Sequence, residues 1–351
     1  MPAWNELLAE FASISDLADR GKWLSEQQSH WLSEIGRLRG GRNVLLYSSG
    51  FLQKPQAPPQ NLQIVHEDIN GLMSVIFGMN WDRHLTVVLH TPGGVTNAAE
   101  TIVSYLRSKF THIEVIVPTL AMSAGTMISL SADRVVMGRQ SQLGPIDPQM
   151  PVGAGRYVSA VAIVDQFETA KAEILANLSA AHVWAPILQS LGPALLQEAQ
   201  NALAYGESMV ARWLASYMFK GTPDAVTRGL RVAGHFSDAS THKSHGRRID
   251  RDEARLQGVV IEDLEDDQDL QEAVLTAYHL TTIVFEQSPT TKLLMSATGR
   301  QWIKNWVVPD QHVSATRSPV GPAPVKPSPG GVASPLNRRQ RRAAESQKGR
   351  R

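Results

Sequence analysis

Short apolar runs alternate with amphipathic segments through the middle of the chain. Runs rich in β-branched residues predict strands at 84–91, 112–120 and 134–138, and helical apolar spacing covers 95–110 and 122–133. Strands and helices that alternate with short connections indicate right-handed crossovers over a largely parallel sheet. The strand runs are continuously apolar, which fits strands covered on both faces. The pattern therefore predicts an α/β fold.

Helical spacing continues on both sides of this alternation. Residues 1–40 and most of 159–220 show it, whereas 313–351 is rich in Pro, Ser, Gly and Arg and has too little apolar content to fold. We therefore divide the chain into an N-terminal helical segment over 1–40, a domain with a helical elaboration over 41–312, and a disordered basic tail over 313–351.

The net charge of +1 conceals a division along the chain. Residues 313–351 hold nine Lys or Arg and one Glu, so the remainder of the chain is mildly acidic. A basic run of this kind is usually a solvated tail, and contact with nucleic acid or an anionic membrane is the alternative. The run contains no aromatic residue, so base stacking has no platform there.

Targeting signals are not evident in the sequence. The first helix is acidic and has neither the basic start nor the apolar block of a signal peptide. The uncharged stretch 115–132 reaches the length of a membrane span, but it contains Pro118 and Gly125 and changes from strand-like to helix-like in its middle. We therefore expect a cytoplasmic protein without a membrane span. Cysteine is absent, which excludes disulfides and thiolate metal sites.

Two turns with small residues follow neighbouring predicted strands. "HTPGGV" contains Gly93 and Gly94, and "AMSAGT" contains Ser123. The carboxyl ends of parallel strands form the ligand crevice of such a sheet. Ser123 begins a helix, where the N–H of Ala124 has no intrahelical partner, so a nucleophile and two backbone donors have the layout of an oxyanion hole. The alternative is that Ser123 only caps the helix, which contributes about 1 kcal/mol.

Both turns lack the motifs of common cofactor sites. Neither ends in the Gly-Lys-Ser/Thr of a phosphate-binding loop, and no G-x-G-x-x-G follows a strand. We therefore expect no cofactor. The serine turn also differs from the G-x-S-x-G elbow, because Ala121 stands at the first glycine position.

The motifs "HTPGGV", "AMSAGTMISLSADRVVMGRQSQLGPIDPQ" and "RIDRDEARLQGVV" resemble those of a known family. It is the serine dehydrogenase proteinase (SDH-type) family of Clp-fold, crotonase-like serine peptidases, related to signal peptide peptidase A. The resemblance extends over about 44–302. It implies a peptide or protein substrate, hydrolysis through an acyl-enzyme on Ser123, and assembly into a homo-oligomer. It assigns Gly94 and Ala124 as oxyanion donors, with Gly93 shaping the turn.

The resemblance leaves the general base open. Clp peptidases have a histidine a couple of dozen residues after the serine, and Asp147 stands near that place here. Signal-peptide-peptidase relatives use a lysine, for which the helix "DQFETAKAEIL" offers Lys171, and we favour this residue. Asp147 as base or orienter, and His242 or His245 as base, are the alternatives. The plain interpretations are a solvated helix face for Lys171 and a turn for Asp147.

Other functions and sites remain open at this point. The spacing of His242 and His245 could hold a metal, but no third ligand is indicated, so we expect no metal site. An acyl-CoA hydratase or thioesterase on the same fold would use the oxyanion hole with carboxylates and would not need Ser123. A scaffold that forms an oligomer or binds a partner would need Ser123 only as a cap.

Overall fold

A seven-stranded sheet forms the centre of the fold. The computed structural model describes residues 4–153 and 156–307, so the predicted tail lies outside the described residues. The strands are β1 (Asn43–Ser49), β2 (Leu85–His90), β3 (Ile113–Val117), β4 (Leu120–Ala121), β5 (Arg134–Met137), β6 (Gln142–Leu143), β7 (Gln149–Val152), β8 (Arg156–Ser159), β9 (Ile261–Asp263), β10 (Thr290–Ser296) and β11 (Gln301–Asn305).

The sheet is mainly parallel. Its strand order is β11-β10-β1-β2-β3-β5-β9, and the five strands from β1 to β9 pair in parallel. The last two strands of the chain add an antiparallel hairpin beside β1. The predicted α/β fold with a parallel-sheet core is confirmed. The hairpin was not predicted, because its first strand is buried along its whole length and reads only as an apolar patch.

Helices cover both faces of the sheet. They are α1 (Trp4–Ser13), α2 (Leu17–Leu38), α3 (Pro59–Leu62), α4 (Asp68–Ile76), α5 (Thr96–Arg107), α6 (Ala124–Leu130), α7 (Ala160–Ala176), α8 (Ala181–Leu191), α9 (Leu195–Ser216), α10 (Ala225–Ser237), α11 (Ala239–His242), α12 (Arg251–Leu256) and α13 (Gln268–Gln287). Successive residues of β2 point to opposite faces. Val87 belongs to the core cluster that includes residues of α4, α5, α9 and α10, whereas Val88 belongs to the cluster that includes residues of α2 and α13. The central strands β2, β3 and β5 are mainly apolar because both faces of the sheet are covered.

The N-terminal helices and helix α8 differ in how they are packed. Helix α1 and part of α2 bury Leu7, Phe11 and Leu24 against α13. By contrast, α8 has no buried residue, although its sequence is apolar. Within the described ranges, no helix has both the length and the hydropathy needed to cross a membrane. The division into three segments stays a prediction.

A buried histidine ends β2. The ring of His90 lies between the rings of Phe51 and Tyr278, at 5.0 Å from each, and Nδ1 lies 2.8 Å from the Thr119 hydroxyl. Burial lowers the pKa of His90 to about 3, since a charged imidazole would lose its hydration there. The fold therefore holds His90 in its neutral form.

We expect this histidine to make the fold sensitive to acid. In the unfolded chain the imidazole gains its proton near pH 6.5, whereas in the folded chain it does so only at about pH 3. The free energy of unfolding is therefore unaffected by this group above pH 6.5 and decreases as the pH falls from 6.5 toward 3. At about pH 4.5 the expected loss is about 3 kcal/mol. Urea unfolding of wild type and His90→Gln from about pH 7 to 4.5 checks this. An equal loss in both proteins would place the acid sensitivity in other groups.

Candidate active site

Ser123 lies in a strained turn between β4 and α6. Its backbone has φ 51° and ψ −117°, a conformation that residues other than glycine rarely adopt. Such a conformation costs on the order of 1–3 kcal/mol of folding free energy. It occupies the N-cap position of α6, but its side chain makes no capping hydrogen bond. The cap interpretation therefore does not account for this serine. A strained strand-to-helix turn is how nucleophile elbows present a serine hydroxyl.

Thr91, which follows β2, ties the two predicted turns together. Its carbonyl accepts from the amide of Met122 at 3.1 Å, and its hydroxyl accepts from the amide of Gly93 at 3.1 Å. A Cβ on Gly93 would lie 2.6 Å from the Cβ of Ser123, closer than two such atoms can approach. Gly93 has φ +95°, so both its conformation and its surroundings require glycine. The glycine turn therefore lies directly against the nucleophile candidate.

Two backbone N–H groups beside Ser123 remain available. Ala124 is the first residue of α6, so its amide has no partner within the helix. Gly94 lines the same cavity as Ser123. Among the described residues, no hydrogen bond from the N–H of Gly94 or Ala124 to an acceptor is found. These are the two donors that the resemblance assigns to an oxyanion hole.

A histidine–aspartate pair faces the same cavity. His245 Nδ1 lies 2.7 Å from Asp147 Oδ1, and Gln149 donates to the other carboxylate oxygen at 2.8 Å. The Asp147 side chain is 3% exposed and that of His245 is 28% exposed. A carboxylate only accepts hydrogen bonds, so Nδ1 is the ring nitrogen that donates in this contact, and in the neutral ring Nε2 has the free lone pair. The pair is therefore arranged as a base with an orienting carboxylate.

The cavity brings these groups together. Its volume is about 610 Å³, and its wall includes Gly94, Ser123, Asp147 and His245. The other residues around it are largely apolar, among them Pro92, Met127, Ile146 and Pro148. An open apolar groove with a few convergent polar groups is typical of a substrate site.

Lys171 lies elsewhere. It is on α7, its side chain is 66% exposed, and it pairs with Glu168 at 3.3 Å. It does not line the cavity that contains Ser123. Of the candidate bases, the structure thus places Asp147 and His245 in the wall of the cavity that Ser123 also lines, and it leaves Lys171 on a solvated helix face.

His242 belongs to a separate cluster with His235 and Glu253. The ligand-type atoms of these three residues lie within 4.8 Å of one another, and His245 is not among them. Arg247 donates to Glu253 at 2.7 Å and to His242 Nδ1 at 2.8 Å. A cation of the chain itself therefore already lies between two of the three residues. These bonds anchor the loop that carries His245.

Comparison with known proteins identifies the segment that contains most of the site. Residues 59–182 match the family of ClpP-like SDH-type serine proteinases. This segment belongs to that family. The SDH-type segment includes the glycine turn, Ser123, Asp147 and Lys171, and it ends before His245. The resemblance predicted from the motifs is confirmed for this part of the chain.

Curated relatives and solved structures show weaker similarity. Two uncharacterised proteins of Methanocaldococcus jannaschii are similar to this chain. The first is 37% identical over 122 residues, which cover 33% of this chain and 41% of the relative. The second is 32% identical over 129 residues, which cover 37% of this chain and 43% of the relative. The chain thus spans about two fifths of the length of the curated relatives it matches. Two variants of the 1510-N membrane-bound stomatin-specific protease are also similar. One is 17% identical, with a TM-score of 0.36, over 60% of this chain and 79% of the other. The second, in complex with a substrate peptide, is 19% identical, with a TM-score of 0.32, over 53% of this chain and 63% of the other.

Proposed function

We propose that this protein is a serine peptidase that hydrolyses peptide bonds through an acyl-enzyme on Ser123. One observation carries the proposal: Ser123 lies in a strained turn, its hydroxyl makes no capping hydrogen bond, and it lines the same cavity as the His245–Asp147 pair. The SDH-type family of residues 59–182 supports the same activity. We propose His245 as the general base in place of Lys171, because His245 lines the cavity and Lys171 does not.

The groups present suffice for acyl transfer. Ser123 Oγ attacks the carbonyl carbon of the substrate while its proton passes to Nε2 of His245. The carbonyl oxygen becomes an oxyanion, which the N–H groups of Gly94 and Ala124 stabilise. The imidazolium then donates the proton to the leaving amine, and a water molecule activated by the same histidine releases the acyl group. Asp147 holds the ring orientation throughout.

One adjustment is required before the first step. In the described part of the chain, no hydrogen bond joins Ser123 to His245. Catalytic hydrogen bonds are often long before substrate binds and shorten in the complex. We propose that the Ser123 rotamer or the His245 loop closes this contact when a peptide occupies the cavity.

Two other functions have less support. A hydratase or thioesterase would use carboxylates beside the oxyanion hole, but Asp147 is the carboxylate in the described cavity wall and it already bonds His245 and Gln149. A scaffold would require nothing of Ser123 beyond a cap, and the side chain does not cap. Self-association stays a prediction, with the unburied helix α8 as the surface that would suit it.

Covalent labelling tests the proposed function. We expect a fluorophosphonate probe to add one adduct per chain, located on the fragment that contains Ser123 by mass spectrometry of a digest. The same preparation should cleave members of a mixed peptide library. A chain that takes up no adduct and cleaves no peptide would favour the scaffold, and an adduct on another serine would exclude Ser123 as the nucleophile.

A further inference from the structure

A buried ion pair lies next to the segment that borders the glycine turn. Lys292 in β10 and Asp68 at the start of α4 have fully buried side chains, and Nζ lies 2.7 and 2.9 Å from the two carboxylate oxygens. Tyr47 donates its hydroxyl to Asp68 at 2.6 Å. A buried ion pair adds little stability over apolar side chains of similar volume, so stability alone is a weak reason for its presence.

The ion pair holds the backbone on both sides of Ile64. Lys292 Nζ donates to the carbonyl of Gln63 at 2.6 Å. The amide of Val65 donates to Asp68 Oδ2 at 3.0 Å. The backbone of residues 63–65 is therefore held by hydrogen bonds to the charged side chains of Lys292 and Asp68. Such bonds are stronger than those between neutral groups.

Ile64 in turn fixes one peptide group of the glycine turn. Its amide donates to the carbonyl of Gly93 at 2.8 Å, and its carbonyl accepts from the amide of Val95 at 2.9 Å. A trans peptide group is planar, so its C=O and N–H point in opposite directions. Because the Gly93 carbonyl points at Ile64, the N–H of Gly94 in the same peptide group points away from Ile64. That N–H is the proposed oxyanion donor.

We propose that Lys292 and Asp68 are positioning residues that aim the N–H of Gly94 into the oxyanion hole. The connection runs from the ion pair through the backbone of 63–65 to the Gly93–Gly94 peptide group. Neither Lys292 nor Asp68 lines the cavity. The inference rests on the proposed function, since this donor has a catalytic role only if Ser123 forms an acyl-enzyme.

A double variant, Lys292→Met with Asp68→Leu, tests this inference. It removes both charges together and leaves no unpaired buried charge. We expect kcat for peptide cleavage to fall about 100-fold, as for loss of one oxyanion donor, with KM nearly unchanged. We also expect faster hydrogen exchange in a proteolytic fragment that covers 91–97, because the bond from Val95 to Ile64 loosens. Tyr47→Phe, which removes one bond to Asp68, should change both quantities in the same direction by less, and it is the test if the double variant does not fold.

Leu32→Ala in α2 is the control for general destabilisation. Leu32 is fully buried on the opposite face of the sheet and does not contact the glycine turn. Assayed well below the Tm of every variant, it should keep the wild-type kcat and exchange in 91–97. An equal fall of kcat in this control, or unchanged kcat and exchange in the double variant, would overturn the inference. A wild-type protein with neither turnover nor fluorophosphonate uptake would refute the proposed function, and the exchange comparison would still decide whether the ion pair orders the turn.

Discussion

Replacement of Ser123 by alanine should abolish peptide cleavage and leave the fold intact. Loss of the nucleophile in a serine peptidase lowers kcat by about a million-fold, because the oxyanion hole and substrate binding alone supply little of the rate. The serine makes no capping hydrogen bond, so its removal should change the free energy of unfolding by less than the usual cost of about 1 kcal/mol for a lost cap. Steady-state turnover, fluorophosphonate uptake and urea unfolding of the same preparations check both parts.

Ser123→Gly separates the strain of the turn from the chemistry of the hydroxyl. Glycine adopts φ 51° without a Cβ penalty, so this variant should be more stable than Ser123→Ala by about 1 kcal/mol, and equally inactive. A higher free energy of unfolding for the glycine variant than for the alanine variant would show that the backbone of this turn is strained in the wild type. The strain would then be a cost that the protein bears to position the Ser123 hydroxyl. A glycine variant less stable than the alanine variant would contradict the strained geometry.

The central sheet could be predicted from the sequence because its signals are local. Each of β2, β3 and β5 is a short apolar run with a helix before or after it, and the crossover rule then orders these strands. The edge formed by β10 and β11 could not be predicted. It depends on pairing of β10 with β1, about 250 residues earlier, for example Ser296 opposite Leu45, and no local pattern records such a register.

The candidate site divides along the same line. The turn of Ser123 and the glycine turn are short motifs beside predicted strands, so they could be placed at one sheet edge. The base could not be placed, because His245 and Asp147 are 98 residues apart and His245 lies in a polar loop without periodicity. The resemblance favours Lys171, because signal-peptide-peptidase relatives use a lysine and this one lies on the helix that follows the serine turn and Asp147. Its exposure is a tertiary property that helical spacing does not decide.

Variants of the candidate bases should therefore differ sharply. We expect His245→Ala to lower kcat by about a million-fold, since the proton of Ser123 loses its acceptor. Asp147→Asn should lower kcat by about ten-thousand-fold, because an amide in place of the carboxylate favours the wrong tautomer of the ring. The measurement is kcat for one peptide substrate with equal amounts of folded protein, verified by circular dichroism.

Lys171→Met is the matched control, because it removes an amine that is solvated and paired only with Glu168. Surface ion pairs contribute little, so the variant should keep wild-type stability and, with His245 as base, wild-type turnover. The pH profile gives an independent measurement. A histidine base is inactive when it carries a proton, so kcat/KM should rise as the pH goes from acid toward neutral and then level off. A rise that continues through the alkaline range, together with loss of turnover in Lys171→Met, would instead establish a serine–lysine mechanism and leave the His245–Asp147 pair as a structural contact.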